Sequence, residues 1–167
     1  MLIMLSYNDL KINYISRDLH IQSKNLNSLT GSPNHVSGTF QCYANNLTNL
    51  IGGPQQVDGD YRCALTNLTD LVGCASHIGG SLDCCYSKIT SLVGIHKIIK
   101  RCNGFYFDSE KVTQGGIGLL LIDNLTKISK YFTPFDIISK YLGSGTKGMM
   151  ECSKELMAKG YEDYAKL

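Results

Sequence analysis

The hydrophobic positions of this chain recur with a constant period. Residues 36–50 return as residues 57–71 and again as residues 78–92, so that equivalent positions lie 21 residues apart. A fixed period of roughly 20–50 residues is typical of repeat architectures, in which stacked units bury their apolar faces against each other. The pattern therefore predicts a repeat solenoid.

Within one unit, apolar and polar residues first alternate and then change to a wider spacing. Val36, Phe40 and Cys42 are predicted to point inward from one strand, with the polar residues between them pointing outward. The wider spacing of Asn45 and Leu47 follows, and the unit closes in a turn that contains glycine and proline. Each unit should thus contribute one short parallel strand and one turn.

Moving this template along the chain extends the array in both directions. Residues 15–21 are equivalent to residues 36–42 and Leu26 to Leu47, and Leu5 lies one period before Leu26. If the period of 21 is kept, residues 99–105 are equivalent to residues 78–84, and Cys102 then points outward. About five units are predicted, with atypical units at both ends because terminal repeats must close the core.

The remainder of the chain has a helical pattern. Apolar residues at steps of three and four predict an amphipathic helix over 117–132, and two further helices are predicted over 135–142 and 149–159. Thr133 and Thr146 are the expected N-caps of the second and third helix, since a threonine hydroxyl can accept a hydrogen bond from a free backbone N–H.

These patterns divide the chain into two predicted parts. Residues 1–112 form a leucine-rich-repeat-like solenoid with short parallel strands, and residues 113–167 form an α-helical C-terminal cap. The cap is expected to cover the open end of the solenoid and to bury Phe105 and Phe107.

Composition and charge narrow the range of functions. Hydrophobic residues make up 43% of the chain and charged residues 18%, which is typical of a folded protein. The formal net charge of +2 does not favour nucleic acid as a partner. A run of about 18 apolar residues is lacking, so we expect no membrane span. Residues 1–5 are apolar without a basic leader, and we expect them to begin the fold of a cytoplasmic protein.

The cysteines follow the repeat. Of the 7 cysteines, Cys42, Cys63 and Cys84 occupy one repeat position. We interpret them as small buried hydrophobic residues with free thiols, because a zinc site prefers Cys-x-x-Cys pairs that close a tetrahedron. Cys84 and Cys85 should point to opposite faces of a strand and therefore should not form a disulfide.

Other residue types give no pattern of a catalytic or cofactor site. His35 and His77 share a repeat position, but two rungs separate them by roughly 10 Å, too far to share one metal ion. Residues 143–148 and 115–118 are glycine-rich but lack the full phosphate-binding or dinucleotide-binding fingerprint. We therefore predict no catalytic, cofactor-binding or metal-binding residues and a protein that is not an enzyme.

The outward face of the predicted strands is the best candidate for a functional surface. Solenoids present such strands as an extended wall for partners, and tyrosine and arginine are enriched at binding hot spots. The candidate protein-binding residues are Thr39, Gln41, Tyr43, Asp58, Asp60, Arg62, Ser81, Asp83 and Tyr106.

The segment Phe40-x-Cys42-x-x-Asn45-x-Leu47 resembles the strand of the leucine-rich repeat. Lys24, Thr66 and Ser87 replace the asparagine in other units, so a ladder of asparagine side chains would be incomplete. The three central units also have a glycine two residues before the position of Phe40. In this the chain resembles the short leucine-rich-like repeats of uncharacterised accessory proteins in large tailed bacteriophages. The resemblance covers about two thirds of the chain and implies the solenoid fold.

The resemblance also implies a function. Small phage proteins of this kind often bind and block a host protein or an antiphage-defence protein in the bacterial cytoplasm. The expected function is thus a non-enzymatic protein-interaction module, with its oligomeric state open. One alternative is a nucleotide-binding protein or small enzyme whose site lies where the cap meets the last repeat, near Lys97, Lys100, Arg101 and Lys111. Another is a structural virion component.

Overall fold

The computed structural model of the chain describes residues 13–167, which form a parallel-strand solenoid of about five turns with α-helices near the C-terminus. The predicted fold class is confirmed. Most turns contribute two very short strands, one to each of two parallel sheets, which we call sheet A and sheet B. The prediction that placed Leu5 in a first unit lies outside the described residues.

The sheets are built from strands of two or three residues. Sheet A contains β1 (Tyr14–Ile15), β3 (His35–Val36), β5 (Gln56–Val57) and β7 (His77–Ile78). Sheet B contains β2 (Leu19–His20), β4 (Phe40–Gln41), β6 (Tyr61–Arg62), β8 (Ser81–Asp83), β10 (Gly104–Tyr106) and β12 (Lys127–Ile128). A third sheet pairs β9 (Ser91–Leu92) with β11 (Gln114–Gly115).

A bend separates the two strands of each turn, so the single strand predicted across residues 36–42 is wrong. The bend falls on a column of glycines: Gly38, Gly59 and Gly80. A β-carbon on Gly59 would lie 2.8 Å from the carbonyl carbon of Gly38, because the backbones of successive turns touch here. A side chain cannot fit at this contact, which explains the repeated glycine and divides the outward residues between two faces.

The core consists of columns of equivalent residues, one from each turn. Phe40 and Tyr61 are fully buried, and their rings meet edge to face with centroids 4.9 Å apart. Cys42, Cys63 and Cys84 form a second fully buried column with free thiols, as predicted. Burial of a side chain such as Phe40 contributes roughly 1.5–3 kcal/mol, so columns of buried apolar residues supply the main force that holds the turns together.

The buried side chain of Asn45 connects two turns. Its Oδ1 accepts hydrogen bonds from the N–H groups of Lys24 and Leu26, both at 3.0 Å. Its Nδ2 donates to the carbonyl oxygens of Ile21 and Cys42, both at 2.9 Å. At the next turn, Thr66 donates only one hydrogen bond, to the carbonyl oxygen of Cys63. The predicted interruption of the asparagine ladder is therefore confirmed at Thr66.

The repeat period changes after the unit that contains Leu82. Leu82 pairs with Phe105, 23 residues later, and the extra residues accommodate the short helix α1 (Ile95–Ile98). The prediction that kept a period of 21 was wrong here, and it misplaced Cys102. In the new register Cys102 is fully buried instead of pointing outward.

The helix predicted over 117–132 is also wrong. Ile117–Leu121 forms a 3-10 helix, and β12 then joins sheet B beside β10. Asn124 (φ 63°) lies within this range and has a left-handed backbone conformation that interrupts an α-helix. Parallel pairing thus continues beyond residue 112, and the division into parts at 1–112 and 113–167 stays a prediction.

Two α-helices follow, close to the predicted positions. They are α2 (Thr133–Ser139) and α3 (Gly145–Ala158), and neither has a side-chain hydrogen bond at its N-cap. Thr133 and Thr146 lie inside the helices, so the predicted caps are wrong, although Pro134 does occupy the first turn. Phe107 packs against Phe135 with ring centroids 4.8 Å apart. The predicted burial of Phe105 and Phe107 is confirmed.

Candidate protein-binding surface

The outward residues of sheet B form two neighbouring columns, which together we call the sheet B face. The first column runs along the residues before or at the start of each strand: Asp18, Thr39, Asp60, Ser81, Gly104 and Lys127. The second column contains His20, Gln41, Arg62, Asp83 and Tyr106. Parallel strands lie about 4.8 Å apart, so neighbouring side chains within a column are close enough to interact.

Acidic residues in the first column hold the next turn in place. The N–H of Thr39 donates a hydrogen bond to Asp18 Oδ1 at 2.7 Å, and the N–H of Ser81 donates to Asp60 Oδ1 at 2.9 Å. Each carboxylate therefore satisfies a backbone donor at the bend of the following turn, where the chain leaves sheet A. Asp60 has a structural role beside any role in binding.

Asp60 is also paired with Arg62 on the same strand. Arg62 Nη2 donates to Asp60 Oδ2 at 2.9 Å. Burial alone would raise the pKa of Asp60, but the hydrogen bond from the Ser81 N–H and the Arg62 guanidinium outweigh burial and lower the pKa below its usual value. Asp60 is therefore ionised at neutral pH and forms an ion pair with the guanidinium.

The other predicted residues on this side form a continuous surface. Thr39 and Gln41 precede Asp60 and Arg62 by one turn, while Asp83 and Tyr106 follow. Tyr43 lies beside the second column and is half-buried. Eight of the nine predicted residues thus lie on or beside the sheet B face.

Asp58 does not belong to this surface. The sequence predicted one outward face, but the bend at Gly59 turns Asp58 towards sheet A, where its Oδ2 contacts His35 Nε2 at 2.8 Å. Gln56 donates to Asp58 Oδ1 at 2.8 Å. The hydrogen bonds from Gln56 and His35 lower the pKa of Asp58. The predicted cluster of Asp58 with Asp60 and Asp83 is therefore wrong.

Sequence reasoning missed two features. Lys127 lies in the first column of the sheet B face, but its segment has helical periodicity, and a two-residue strand is too short to compete with that pattern. On sheet A, a depression of about 250 Å³ is lined by Gln56, Val57, Asp58, His77, Ile78, Gly79 and Arg101. As predicted, His35 and His77 are two rungs apart, with Gln56 between them.

The basic residues of the alternative nucleotide site have separate contacts. Lys111 Nζ lies 2.7 Å from Asp108 Oδ2, whereas Lys100 Nζ donates to the carbonyl oxygen of His96 at 3.0 Å. The Arg101 guanidinium donates to the side-chain oxygen of Asn124 at 2.8 and 3.0 Å once the amide is oriented to accept. Lys100, Arg101 and Lys111 therefore each contact a different nearby residue.

The thiols of the chain are buried or half-buried and poorly ionised. Burial raises the pKa of Cys102 to about 12, and burial together with nearby Asp83 raises the pKa of Cys85 to about 12. A protonated thiol is a weak nucleophile and a weak metal ligand. Over residues 13–167, no group of three or more His, Cys, Asp or Glu side chains is placed to hold a metal ion.

Comparison of the full sequence with protein-family models, with curated proteins and with solved structures finds no match. In the part of the chain that is described, no helix is both long and apolar enough to cross a membrane. The turns of about 21 residues and the bonding of Asn45 are consistent with a leucine-rich-repeat-like unit.

Proposed function

We propose that this protein is a non-enzymatic interaction module that binds another protein through its sheet B face. The proposal rests on one observation: side chains suited to protein binding are exposed on a sheet whose backbone is held by hydrogen bonds. Arg62 and Tyr106, two residue types enriched at hot spots, lie one turn to either side of Asp83 on a hydrogen-bonded sheet. A surface fixed in this way loses little conformational entropy when a partner binds.

The finer form of the proposal concerns the biological setting. The repeat sequence resembles that of accessory proteins from large tailed bacteriophages, which supports a phage protein that acts in the cytoplasm of an infected bacterium. There it would bind and inhibit a host protein or an antiphage-defence protein. This part rests on the resemblance, whereas the binding surface rests on the arrangement of the sheet B face.

Affinity purification of the tagged protein from bacterial lysate tests the proposal. The test variant replaces Arg62, Asp83 and Tyr106 with alanine, and it spares Asp60 because that carboxylate holds the next turn. The matched control replaces His35, Gln56 and His77, which occupy one column of sheet A. Both variants must retain the far-ultraviolet circular dichroism of the parent protein.

The expected result is one bacterial protein that the parent and the sheet A variant both enrich and that the sheet B variant loses. Mass spectrometry with quantitative labelling compares the three captures. Equal enrichment by all three proteins, or loss only in the sheet A variant, contradicts binding through the sheet B face. Failure of the parent protein to enrich any protein above a tag-only control contradicts the interaction function itself.

A further inference from the structure

The sheet B face contains a depression between its two columns. Its volume is about 250 Å³, and its lining consists of Asp60, Arg62, Ser81, Asp83 and Tyr106. The register of β6, β8 and β10 places these residues on three successive strands. The volume is sufficient for the end of one long side chain but not for a drug-sized ligand, which typically needs at least about 300 Å³.

The charges around the depression do not balance. Arg62 and Asp83 are direct neighbours across β6 and β8, yet the guanidinium pairs with Asp60 at 2.9 Å. Asp83 accepts one hydrogen bond at Oδ1, from the N–H of Cys85 at 3.1 Å. Among residues 13–167, no lysine, arginine or histidine lies within 4.0 Å of the Asp83 carboxylate. Two carboxylates therefore face one guanidinium, and the depression carries a net negative charge.

An aromatic ring stands next to this carboxylate. Tyr106 pairs directly with Asp83 in the register of β8 and β10, and 37% of its surface is exposed. Its ring lies against Gly104, where a β-carbon would come within 3.3 Å of ring atom Cε2 and 2.7 Å of Ser81 Oγ. The missing side chain at Gly104 thus allows the ring to lie close to the strand beside Ser81.

A carboxylate beside an aromatic ring is suited to a cation. The ring quadrupole attracts a cation placed over its face, and a carboxylate oxygen without a cationic partner can form a charge-assisted hydrogen bond with the same group. A guanidinium meets both conditions better than an ammonium, because it is planar, weakly hydrated and able to stack while donating in its own plane.

We propose that the Asp83–Tyr106 depression binds the guanidinium of an arginine side chain presented by the partner protein. The guanidinium lies over the Tyr106 ring and donates to Asp83, while the Asp60–Arg62 pair borders it on the opposite side. This inference rests on the proposed binding function and specifies its chemistry. It makes the partner's contact segment basic, with one arginine that dominates recognition.

Titration with single amino-acid derivatives tests the site directly. Nα-acetyl-arginine methylamide, the matching lysine derivative and the uncharged citrulline derivative are added to the isotope-labelled full chain, and backbone amide shifts are followed by NMR. We expect saturable millimolar binding of the arginine derivative, with shifts centred on residues 81–85 and 104–106. The lysine derivative should bind more weakly, and the citrulline derivative should not saturate.

Variants show whether the shifts report this site. Asp83→Asn should weaken arginine binding about tenfold, the value expected for a charged hydrogen bond of about 1.5 kcal/mol. Tyr106→Leu should weaken it about fivefold, because the attraction between the cation and the ring is lost. Asp58→Asn removes an acid on the other face and serves as the control with unchanged binding. Equal binding of citrulline, or an unchanged affinity in Asp83→Asn, overturns the proposal.

The outcomes also separate this site from the proposed function. Capture of a protein partner that survives Asp83→Asn and Tyr106→Leu overturns the arginine site while the interaction function stands. Saturable, Asp83-dependent arginine binding without any captured protein supports the site and contradicts the interaction function in the lysate used. Thermal unfolding of each variant shows whether a loss of binding reflects a loss of the fold.

Discussion

Replacement of Asn45 with threonine removes most of the side-chain hydrogen bonds between its turn and the preceding one. Asn45 takes part in four side-chain hydrogen bonds, of which three reach the preceding turn, at Lys24, Leu26 and Ile21, and one stays within its own turn, at Cys42. Threonine is the natural residue at the equivalent Thr66, where it keeps one bond, to the carbonyl three residues earlier. Asn45→Thr should therefore lose three bonds and keep the bond to Cys42.

The decrease in the free energy of unfolding follows from the number of hydrogen bonds that are lost. Each lost bond is worth about 1 kcal/mol, which gives about 3 kcal/mol for the three. The N–H of Lys24 belongs to an exposed residue and can bond to water instead, so the expected loss is about 2 kcal/mol. Urea unfolding followed by circular dichroism measures it, and with a slope of about 2 kcal/mol/M the midpoint should fall by about 1 M.

Two further variants make the result interpretable. Asn46→Thr changes the exposed neighbour of Asn45 and should leave the midpoint unchanged. Thr66→Ala removes one hydrogen bond and should cost about 1 kcal/mol. A loss below about 0.5 kcal/mol for Asn45→Thr, or a loss no larger than that of Asn46→Thr, would refute the reasoning that this side chain couples the turns.

Three other predictions follow from particular side chains. The hydroxyl of Tyr61 is buried without a hydrogen-bond partner among the described residues, so Tyr61→Phe should leave stability unchanged or raise it by up to about 1 kcal/mol; a clear fall in melting temperature would contradict this. Because the folded state lowers the pKa of Asp60, its stabilising contribution is complete above the ordinary carboxyl pKa of about 4 and is lost as pH falls through the lowered value. Unfolding free energies measured from pH 7 to pH 2 should therefore differ most between the parent and Asp60→Asn at neutral pH, and a constant difference would argue against the assignment. All 7 cysteines should react slowly with Ellman's reagent at pH 8 and quickly in denaturant, since burial raises thiol pKa values such as that of Cys102, to about 12; one thiol reacting at the rate of free cysteine would disprove this.

The periodic part of the fold could be predicted because each core column repeats an apolar residue at a spacing of 21. Phe40, Tyr61 and Leu82 follow the 21-residue period and pair in the same order in sheet B. The bend between the sheets could not be predicted from alternation, because Val36 and Phe40 point inward whether the strand is straight or bent. Its only signal was the glycine at position 38 and its repeats, whose cause is a backbone contact between turns.

A second group of errors lies where the period changes. The insertion at α1 shifts the register by two residues, and a template of fixed length cannot detect such a shift. Residues 117–128 have apolar side chains at helical spacing, yet the same side chains also suit a turn of the solenoid that buries Ile117, Leu125 and Ile128 and half-buries Leu121. The positive φ angle at Asn124 decides between the two, and it depends on contacts that the sequence does not state.

The candidate surface could be predicted in composition but not in arrangement. Alternation identified eight residues that lie on or beside the sheet B face, whereas Asp58 was assigned there because the bend was not foreseen. The pairing of Arg62 with Asp60 instead of Asp83 also depends on side-chain geometry. That choice leaves Asp83 with the unbalanced charge on which the proposed arginine site depends.

Photo-crosslinking in living bacteria tests the binding surface most directly. A photoreactive amino acid is placed at Gln41, in the second column of the sheet B face, or at Gln56, the outward residue of β5 in sheet A. The two positions carry the same residue type, so they differ chiefly in the face that they occupy. The account predicts a discrete crosslinked protein from position 41 and none from position 56. An adduct formed only from position 56, or from neither position, would contradict it.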